Sequence, residues 1–272
     1  MGILSPIMNN SGVPPMELNE RVAIITGSSS GVGASLAQQL AAQGSKVVIN
    51  YSRSEAGARD TLAAVADVGG DGVIVQGDVS QQADCERIVQ TAIDTFGRLD
   101  ILVNNAGTTT FVPHQELDQL TEDIWLRTLQ VNLMGAFFMS RLAVPHMRAV
   151  GGGEIVMTSS IAGITANGSS IAYCASKAGM NSLTRTLAKT LGKDAIRVNA
   201  VLPGLIDGEW AFATWGGGDD DQYANLKRMF VDQTPLSHVV TPDDVADAIT
   251  SIITGSDYVT GQLVTIDSGF TL

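Results

Sequence analysis

The sequence predicts a single α/β domain built on a doubly wound, seven-stranded, mostly parallel sheet with helices on both faces. Three observations carry that expectation. Short apolar runs recur without the apolar–polar alternation of a half-exposed strand, so they read as strands buried on both faces. Segments with apolar residues at helical spacing separate them, and strand–helix alternation within one sheet requires parallel crossovers. The first apolar run opens directly into a glycine-rich turn and then a helix, the context in which such a turn carries meaning.

Taken in order, residues 1–19 show no period and carry Pro6, Pro14 and Pro15. They read as a flexible arm, leaving 20–272 as one domain. The run Arg21–Thr26 is the first strand. It continues into Thr26-Gly27-Ser28-Ser29-Ser30-Gly31-Val32-Gly33, after which Leu36, Ala37, Leu40 and Ala41 recur at helical spacing. Gly27 and Gly31 permit a tight turn and close approach of backbone to a pyrophosphate, while the helix start offers free N–H groups and a positive dipole end. Gly27, Ser29, Ser30, Gly31, Val32 and Gly33 are therefore the expected phosphate cradle, and the domain is expected to be a Rossmann fold.

The alternation repeats. Lys46–Asn50 is a strand and 54–69 a helix; Gly72–Gln76 is the third strand, ending in Gly77-Asp78-Val79. Residues 81–97 place Ile88, Val89, Ala92, Ile93 and Phe96 on one helical stripe. Asp100–Val103 runs into Asn104-Asn105-Ala106-Gly107, and one long helix is expected over 118–149. Glu154–Met157 is the fifth strand, and a helix holding Tyr173 and Lys177 runs on to Leu191. Arg197–Leu202 is the sixth strand, stopped by Pro203-Gly204; 207–235 reads as irregular. A helix through Val245, Ala248, Ile249 and Ile252 and a strand Gln262–Ile266 close the sheet.

The chemistry concentrates between Ser160 and Lys177. A separation of four puts Tyr173 and Lys177 on one helix face. A free phenol titrates near about 10, and an ammonium one turn away is expected to favour the phenolate and bring that value toward the working range. Ser160, at the end of an apolar strand, can donate to the same oxygen that the tyrosine serves. Composition narrows the partners. The net charge of −12, with no cluster of Lys or Arg, argues against nucleic acid and anionic membranes. No apolar run is long enough to span a bilayer and no secretory signal pattern opens the chain. Cys85 and Cys174 form neither a disulfide framework nor a metal spacing, which favours a reducing, cytoplasmic setting. The run Gly216–Asp221 reads as a solvated turn, and no metal is expected.

From about residue 20 to 272 the chain resembles the short-chain dehydrogenase/reductases of single-domain type. The resemblance rests on Thr26-Gly27-x-x-x-Gly31-x-Gly33, Asp78-Val79, Asn104-Asn105-Ala106-Gly107, Asn132, Ser160, Tyr173-x-x-x-Lys177 and Pro203-Gly204. Within the family it is most similar to the 3-oxoacyl-carrier-protein reductases and glucose dehydrogenases. The resemblance implies Tyr173 as general acid or base and Lys177 as the group that lowers its pKa and binds the nicotinamide ribose. It implies Ser160 as the group that polarises the substrate oxygen, the thirteen-residue gap to the tyrosine favouring it over Ser159. Asn132 would hold a water that relays protons from Lys177. Asp78 and Val79 would meet the adenine, Asn105, Ala106 and Gly107 would line the cleft, and Ile206, after Pro203 and Gly204, would meet the nicotinamide carboxamide. Family members often carry a threonine where this chain has Gly208, so one cofactor contact is expected to be missing or supplied otherwise. A homotetramer through 118–149, 171–191 and the last strand is also implied.

The second strand ends in Asn50-Tyr51-Ser52-Arg53 with no carboxylate. A 2′-phosphate can sit against Ser52 and Arg53, so NADP(H) is expected ahead of NAD(H). Substrate specificity is expected from 108–118 and from an aromatic lid at 207–235, which favours a hydrophobic ketone or alcohol over a free sugar. The leading reading is an NADP(H)-dependent carbonyl reductase acting on a small-molecule substrate. The alternatives are a sugar or polyol dehydrogenase running oxidatively and a non-catalytic nucleotide sensor.

Overall fold

Each strand of the sheet feeds two separate cores, which is what burial on both faces requires. In β1 (Val22–Ile25) Val22 and Ile24 face one side, Ala23 and Ile25 the other; in β4 (Ile101–Asn104) Leu102 is set against Ile101 and Val103. The computed structural model describes residues 17–272. Its other strands are β2 (Lys46–Tyr51), β3 (Asp71–Gln76), β5 (Gly153–Thr158), β6 (Ile196–Pro203) and β7 (Leu263–Ile266). All pair in parallel, in the order β3-β2-β1-β4-β5-β6-β7. The order reverses between β1 and β4, so the ligand crevice of such a sheet lies outside the carboxyl ends of those two strands.

Helices α1 (Gly31–Ala42) and α2 (Glu55–Asp67) cover one face, joined by a late C-terminal helix over Pro242–Thr254; α3 (Gln82–Phe96) covers the other. The long helix expected over 118–149 is not continuous. It resolves into a 3₁₀ turn Leu117–Gln119, α4 (Glu122–Leu129), a π turn Gln130–Gly135 and α5 (Ala136–Ala149). The π turn sits where Gly135 packs on Val79: a Cβ there would lie 2.8 Å from a Val79 methyl. The extra residue in the turn accommodates that close approach, and such turns cluster at functional sites.

Beyond β5 come the one-turn helix α6 (Ala162–Thr165) and α7 (Ile171–Leu191), the latter packed on the same face as α3 and α5. The stretch 207–235, read as irregular, is mostly helical: α8 (Glu209–Ala211), a π turn Phe212–Gly216 and α9 (Asp220–Gln233), before the last helix, α10 (Pro242–Thr254). Asp219, within the acidic run read as a solvated turn, caps α9 by accepting from the Gln222 N–H at 2.9 Å. The three glycines before it hid that helix start. At the other end the domain begins earlier than expected. Leu18 is buried in the core shared by α1 and α10, and its carbonyl accepts from Ser45 Oγ at 2.9 Å. The remainder of the predicted arm, 1–16, lies outside the described residues.

Glycines at two positions separate crowding from simple strain. A Cβ on Gly33 would stand 2.7 Å from Ser28 Cα and 2.8 Å from the Gly27 carbonyl oxygen, both backbone. Gly97 ends α3 in the left-handed region (φ 76°) with open space around it. Gly33→Ala is expected to cost about 2 kcal/mol or more, because neither neighbour can yield. Gly97→Ala should cost about 1 kcal/mol, the strain alone. Thermal melts decide it: equal Tm losses for the two variants would contradict the packing account.

Candidate active site

The glycine turn between β1 and α1 is held by buried side chains from two neighbouring strands. Asn50, at the end of β2, accepts from the Gly27 N–H at 3.1 Å and donates to the Gly77 carbonyl at 3.0 Å. Asn105, after β4, donates from Nδ2 to the carbonyls of Thr26 (3.0 Å) and Gly27 (3.1 Å). Thr26 Oγ1 accepts from the N–H groups of both Asn105 and Ala106 at 3.0 Å. Gly27, at φ 64°, approaches so closely that a Cβ would lie 2.9 Å from Ala106 Cα. These contacts join the turn to the start of the 104–107 loop across the point where strand order reverses.

The first turn of α1 carries no side-chain cap: Ser30 occupies the N-cap position without bonding back to the helix. Its free N–H groups and dipole end present an anion cradle, lined by Ser29, Ser30, Gly31, Val32 and Gly33. A Cβ on Gly31 would meet nothing within 4 Å, so the turn is open on the outer side. The residues present therefore fit a dinucleotide phosphate. Beside the cradle, Ser52 and Arg53 at the end of β2 are exposed, and Arg53 takes part in no ion pair among the described residues. A Cβ on Gly57, in the first turn of α2, would collide with the Ser29 carbonyl oxygen, so this corner abuts the cradle.

The proton-transfer set is assembled by β5 and α7. Ser170 caps α7 by accepting from the Tyr173 N–H at 3.2 Å, which fixes Tyr173 in the first turn. Three successive residues at the end of β5 then do different things. The Thr158 carbonyl accepts from Lys177 Nζ at 2.7 Å. Ser159 Oγ donates to Asn181 Oδ1 at 2.7 Å and also bonds the Lys177 carbonyl at 3.2 Å, which spends it on α7. Ser160 Oγ accepts from the Ala162 N–H at 3.1 Å, and its interaction with the Tyr173 phenol opposes the upward push of burial on that group. The hydroxyl next to the phenol is thus that of Ser160.

The expectation that Lys177 pulls the phenol down does not hold here. Burial pushes Tyr173 up to about 12, with the Ser160 interaction opposing it. Burial likewise pushes Lys177 down to about 8. Both charged forms lose water, and Nζ points at a main-chain carbonyl while lying 5.5 Å from the centre of the tyrosine ring. Burial governs both groups, and Lys177 is not among the causes acting on the phenol.

Asn132 lies in the π turn and is fully buried. Its Oδ1 accepts from the Thr108 N–H at 2.8 Å, and Nδ2 donates to the Thr108 carbonyl at 2.9 Å and to Ser176 Oγ at 3.0 Å. The amide pins the loop after β4 to α7. Gly107 joins the two halves of the site: a Cβ there would be 3.7 Å from Asn132 Oδ1 and 3.9 Å from Lys177 Nζ. Asp78 is half-buried. Burial raises its pKa, but Ser80 and Arg127, paired at 2.9 Å, hold the carboxyl below its ordinary value. Val79 is a core side chain, leaving only its main chain for an adenine. Pro203 ends β6, the Gly204 N–H donates to the Ile266 carbonyl, and Ile206 bridges to Val240.

Three features escaped sequence reasoning: the clamps of Asn50 and Thr26, the carbonyl of Thr158, and a latch on Asp207. Tyr223 Oη donates to Asp207 Oδ1 at 3.0 Å, Lys227 Nζ pairs with its carboxylate at 3.1 Å, and the Gly208 N–H donates to Tyr223 Oη at 3.2 Å. A polar residue closing the apolar run Lys46–Asn50 was the signal for Asn50; nothing in the sequence marked the latch. The lid it holds reaches the site through Trp210, whose ring centre lies 6.1 Å from that of Tyr173.

A dinucleotide-type α/β sheet with a serine, a tyrosine and a lysine gathered beside its switch point defines an oxidoreductase. Comparison with known proteins agrees. The family described as enoyl-(acyl carrier protein) reductase matches residues 27–271. "Granaticin polyketide synthase putative ketoacyl reductase 2" of Streptomyces violaceoruber is 42% identical over 248 residues, covering 91% of this chain and 95% of its own. L-rhamnose 1-dehydrogenase (NAD(P)(+)) of a Sphingomonas species is 36% identical over 257 residues, covering 93% and 96%. Among solved structures, levodione reductase superposes with a TM-score of 0.87 at 29% identity, covering 92% of this chain and 97% of that one. The chain belongs to the short-chain dehydrogenase/reductase family, whose members use a nicotinamide dinucleotide.

Lys177 supplies a stability test. Its pKa falls from 10.5 unfolded to about 8 folded, so between those values the unfolded chain binds more protons and stability rises with pH. The full contribution is present above 10.5 and is lost as pH falls through 8, amounting to at most about 3 kcal/mol. Lys177→Met is therefore expected to raise Tm at pH 7, with the gain shrinking as pH approaches 10. A Tm difference independent of pH would contradict the burial account.

Proposed function

We propose that this protein is an NADP(H)-dependent reductase of ketones in which Tyr173 is the general acid. The observation that carries the reading is the single cluster in which the Ser160 hydroxyl meets the Tyr173 phenol, Lys177 lies one turn on, and Gly107 brings the cofactor loop against Lys177. The bound dinucleotide would supply the hydride. Gly27, Ser29, Ser30, Gly31, Val32 and Gly33 would hold its phosphates, with Asp78, Asn105, Ala106, Gly107, Pro203, Gly204 and Ile206 along the rest of the cleft. Ser160 would donate to the substrate oxygen where negative charge develops, and Tyr173 would deliver the proton there. A phenol that burial keeps protonated suits the acid of a reduction better than the base of an oxidation. Lys177, near neutrality in pKa, can re-protonate the phenol, and Asn132 would keep the loop after β4 in register with it. The lid would exclude water.

The direction of reaction is supported by the ketoacyl reductase name of the most identical relative quoted above, while the rhamnose dehydrogenase keeps the oxidative alternative in view. NADP(H) is favoured over NAD(H) by the absence of a carboxylate at the end of β2 and by the unpaired Arg53. A homotetramer is supported by exposed apolar side chains on α4, the π turn and α5, namely Leu126, Met134 and Phe137. Two free, buried cysteines suit a reducing compartment, and among the described residues no helix is long and apolar enough to cross a membrane.

Tyr173→Phe is expected to lower kcat for ketone reduction by about 10³-fold or more, within the range for a lost general acid, with NADPH affinity nearly unchanged. Stopped-flow turnover beside fluorescence titration of NADPH tests it; a variant that still turns over would remove Tyr173 from the acid role. For the cofactor, kcat/KM with NADPH should exceed that with NADH by about 10-fold or more, and Arg53→Asp should erase the difference by losing charge-assisted contacts to the 2′-phosphate. An NADH preference in the unaltered protein would refute the assignment.

A further inference from the structure

The wall that a substrate would touch is aromatic, rigid and uncharged. Trp210 stands at the start of the lid with its ring tilted 43° to that of Tyr173. Trp215 backs it edge-on, with centres 5.7 Å apart and planes at 82°. Although set between two aromatic rings, Trp210 remains 47% exposed, so part of its surface is open to another molecule beside the reacting phenol. The lid that carries it is not free to drift. The Asp207 latch ties its start to α9, and Tyr223, Phe212, Leu226 and Phe230 pack around Leu205 and Ala211 as a small core of their own.

Charge at this wall is used up or unfavourable. Asp207 and Lys227 neutralise each other, and the residue preceding Trp210 is the exposed Glu209. An anionic substrate would meet Glu209 and an already paired Lys227 there. Across the site, the loop carrying the half-exposed Phe111 is fastened beside Tyr173, where the Val112 N–H donates to the Ser169 carbonyl at 2.9 Å and Thr109 Oγ1 shares a hydrogen bond with Ser169 Oγ at 2.6 Å. Aromatic surfaces gain from offset or edge contact with another ring beyond what burial of area gives. A flexible chain would recover the area alone.

We infer that the substrate is a neutral ketone borne on or fused to a planar unsaturated ring, with Trp210 as the residue that selects it. The inference rests on the carbonyl-reductase reading and names the substrate class for the same site. Two ketones matched in carbon count test it: 1-tetralone and 2-decanone, each with NADPH. The unaltered protein should favour 1-tetralone by about 10-fold or more in kcat/KM, a preference of the size one pocket contact provides. Trp210→Ala should abolish the preference, Trp210→Phe should keep most of it, and NADPH affinity should not change in either. No preference in the unaltered protein, or equal losses on both ketones in Trp210→Ala, would overturn the inference. If neither ketone turns over, the reductase reading fails, and calorimetric titration of 1-tetralol into the NADP⁺-saturated protein still decides the wall. Weaker binding to Trp210→Ala than to the unaltered protein upholds it; equal affinity overturns it.

Discussion

The site depends on keeping one ammonium group out of water without giving it a carboxylate. Lys177 is almost fully buried, and Nζ donates to the Thr158 carbonyl. A carboxylate partner would offset the desolvation cost and push the lysine back above its ordinary pKa. A main-chain carbonyl compensates only partly, which leaves the group near 8, where a proton can be held or released at working pH. The end of β5 makes this arrangement possible because three consecutive residues reach three targets: a carbonyl for Lys177, a hydroxyl for the α7 backbone and a hydroxyl for the phenol. The energetic support lies elsewhere, in the two cores that the alternating strand residues fill on either side of the sheet. Buried apolar area at about 25 cal/mol per Å² lets a domain of this size tolerate a strained, dry cation.

The cofactor side follows the opposite logic, with the side chains that support the turn engaged in hydrogen bonds to it. Asn50 and Asn105 grip the same glycine turn from the two strands that flank β1, and Thr26 serves two N–H groups at once. A loop set this way presents its remaining N–H groups at the start of α1 in a fixed direction, so a phosphate would meet donors that need no reorganisation. The same asymmetry separates Ser159 from Ser160. One hydroxyl is consumed by the scaffold; its neighbour is left for the chemistry.

What could be read from the sequence divides along a physical line. Apolar runs such as Val22–Ile25 announce strands buried on both faces because no polar alternative competes, and a glycine turn between strand and helix announces a phosphate cradle for the same local reason. Tyr173 and Lys177 were placed on one helix face by spacing alone. The failures are all matters of tertiary context. The π turn at 130–135 arises because Gly135 must clear Val79, a contact that no window of sequence contains. The tyrosine pKa moves up because burial, invisible in spacing, outweighs the opposing interaction with Ser160. The helical lid was missed because Gly216–Gly218 and the acids after them resemble a loop, although Asp219 is a helix cap. Leu18 was assigned to an arm because a single apolar residue after two prolines carries no period, yet it fills the core beside Ser45.

The latch at Asp207 turns a departure from the family pattern into a mechanical feature. Where relatives by resemblance carry a threonine, this chain has Gly208, and the Gly208 N–H donates to Tyr223 Oη while the adjacent carboxylate accepts from both Tyr223 and Lys227. The segment from Pro203 to Gly208 therefore bonds on one side to β7, through the Gly204 N–H and the Ile266 carbonyl, and on the other to α9. Ile206 lies between those anchors and bridges to Val240. Asp207 adjoins Ile206, so the hydrogen bonds from α9 and the bridge to Val240 fall on neighbouring residues. The segment after β6 and α9 are in this sense one body that holds Trp210 against Tyr173, which stands on α7 in a separate core.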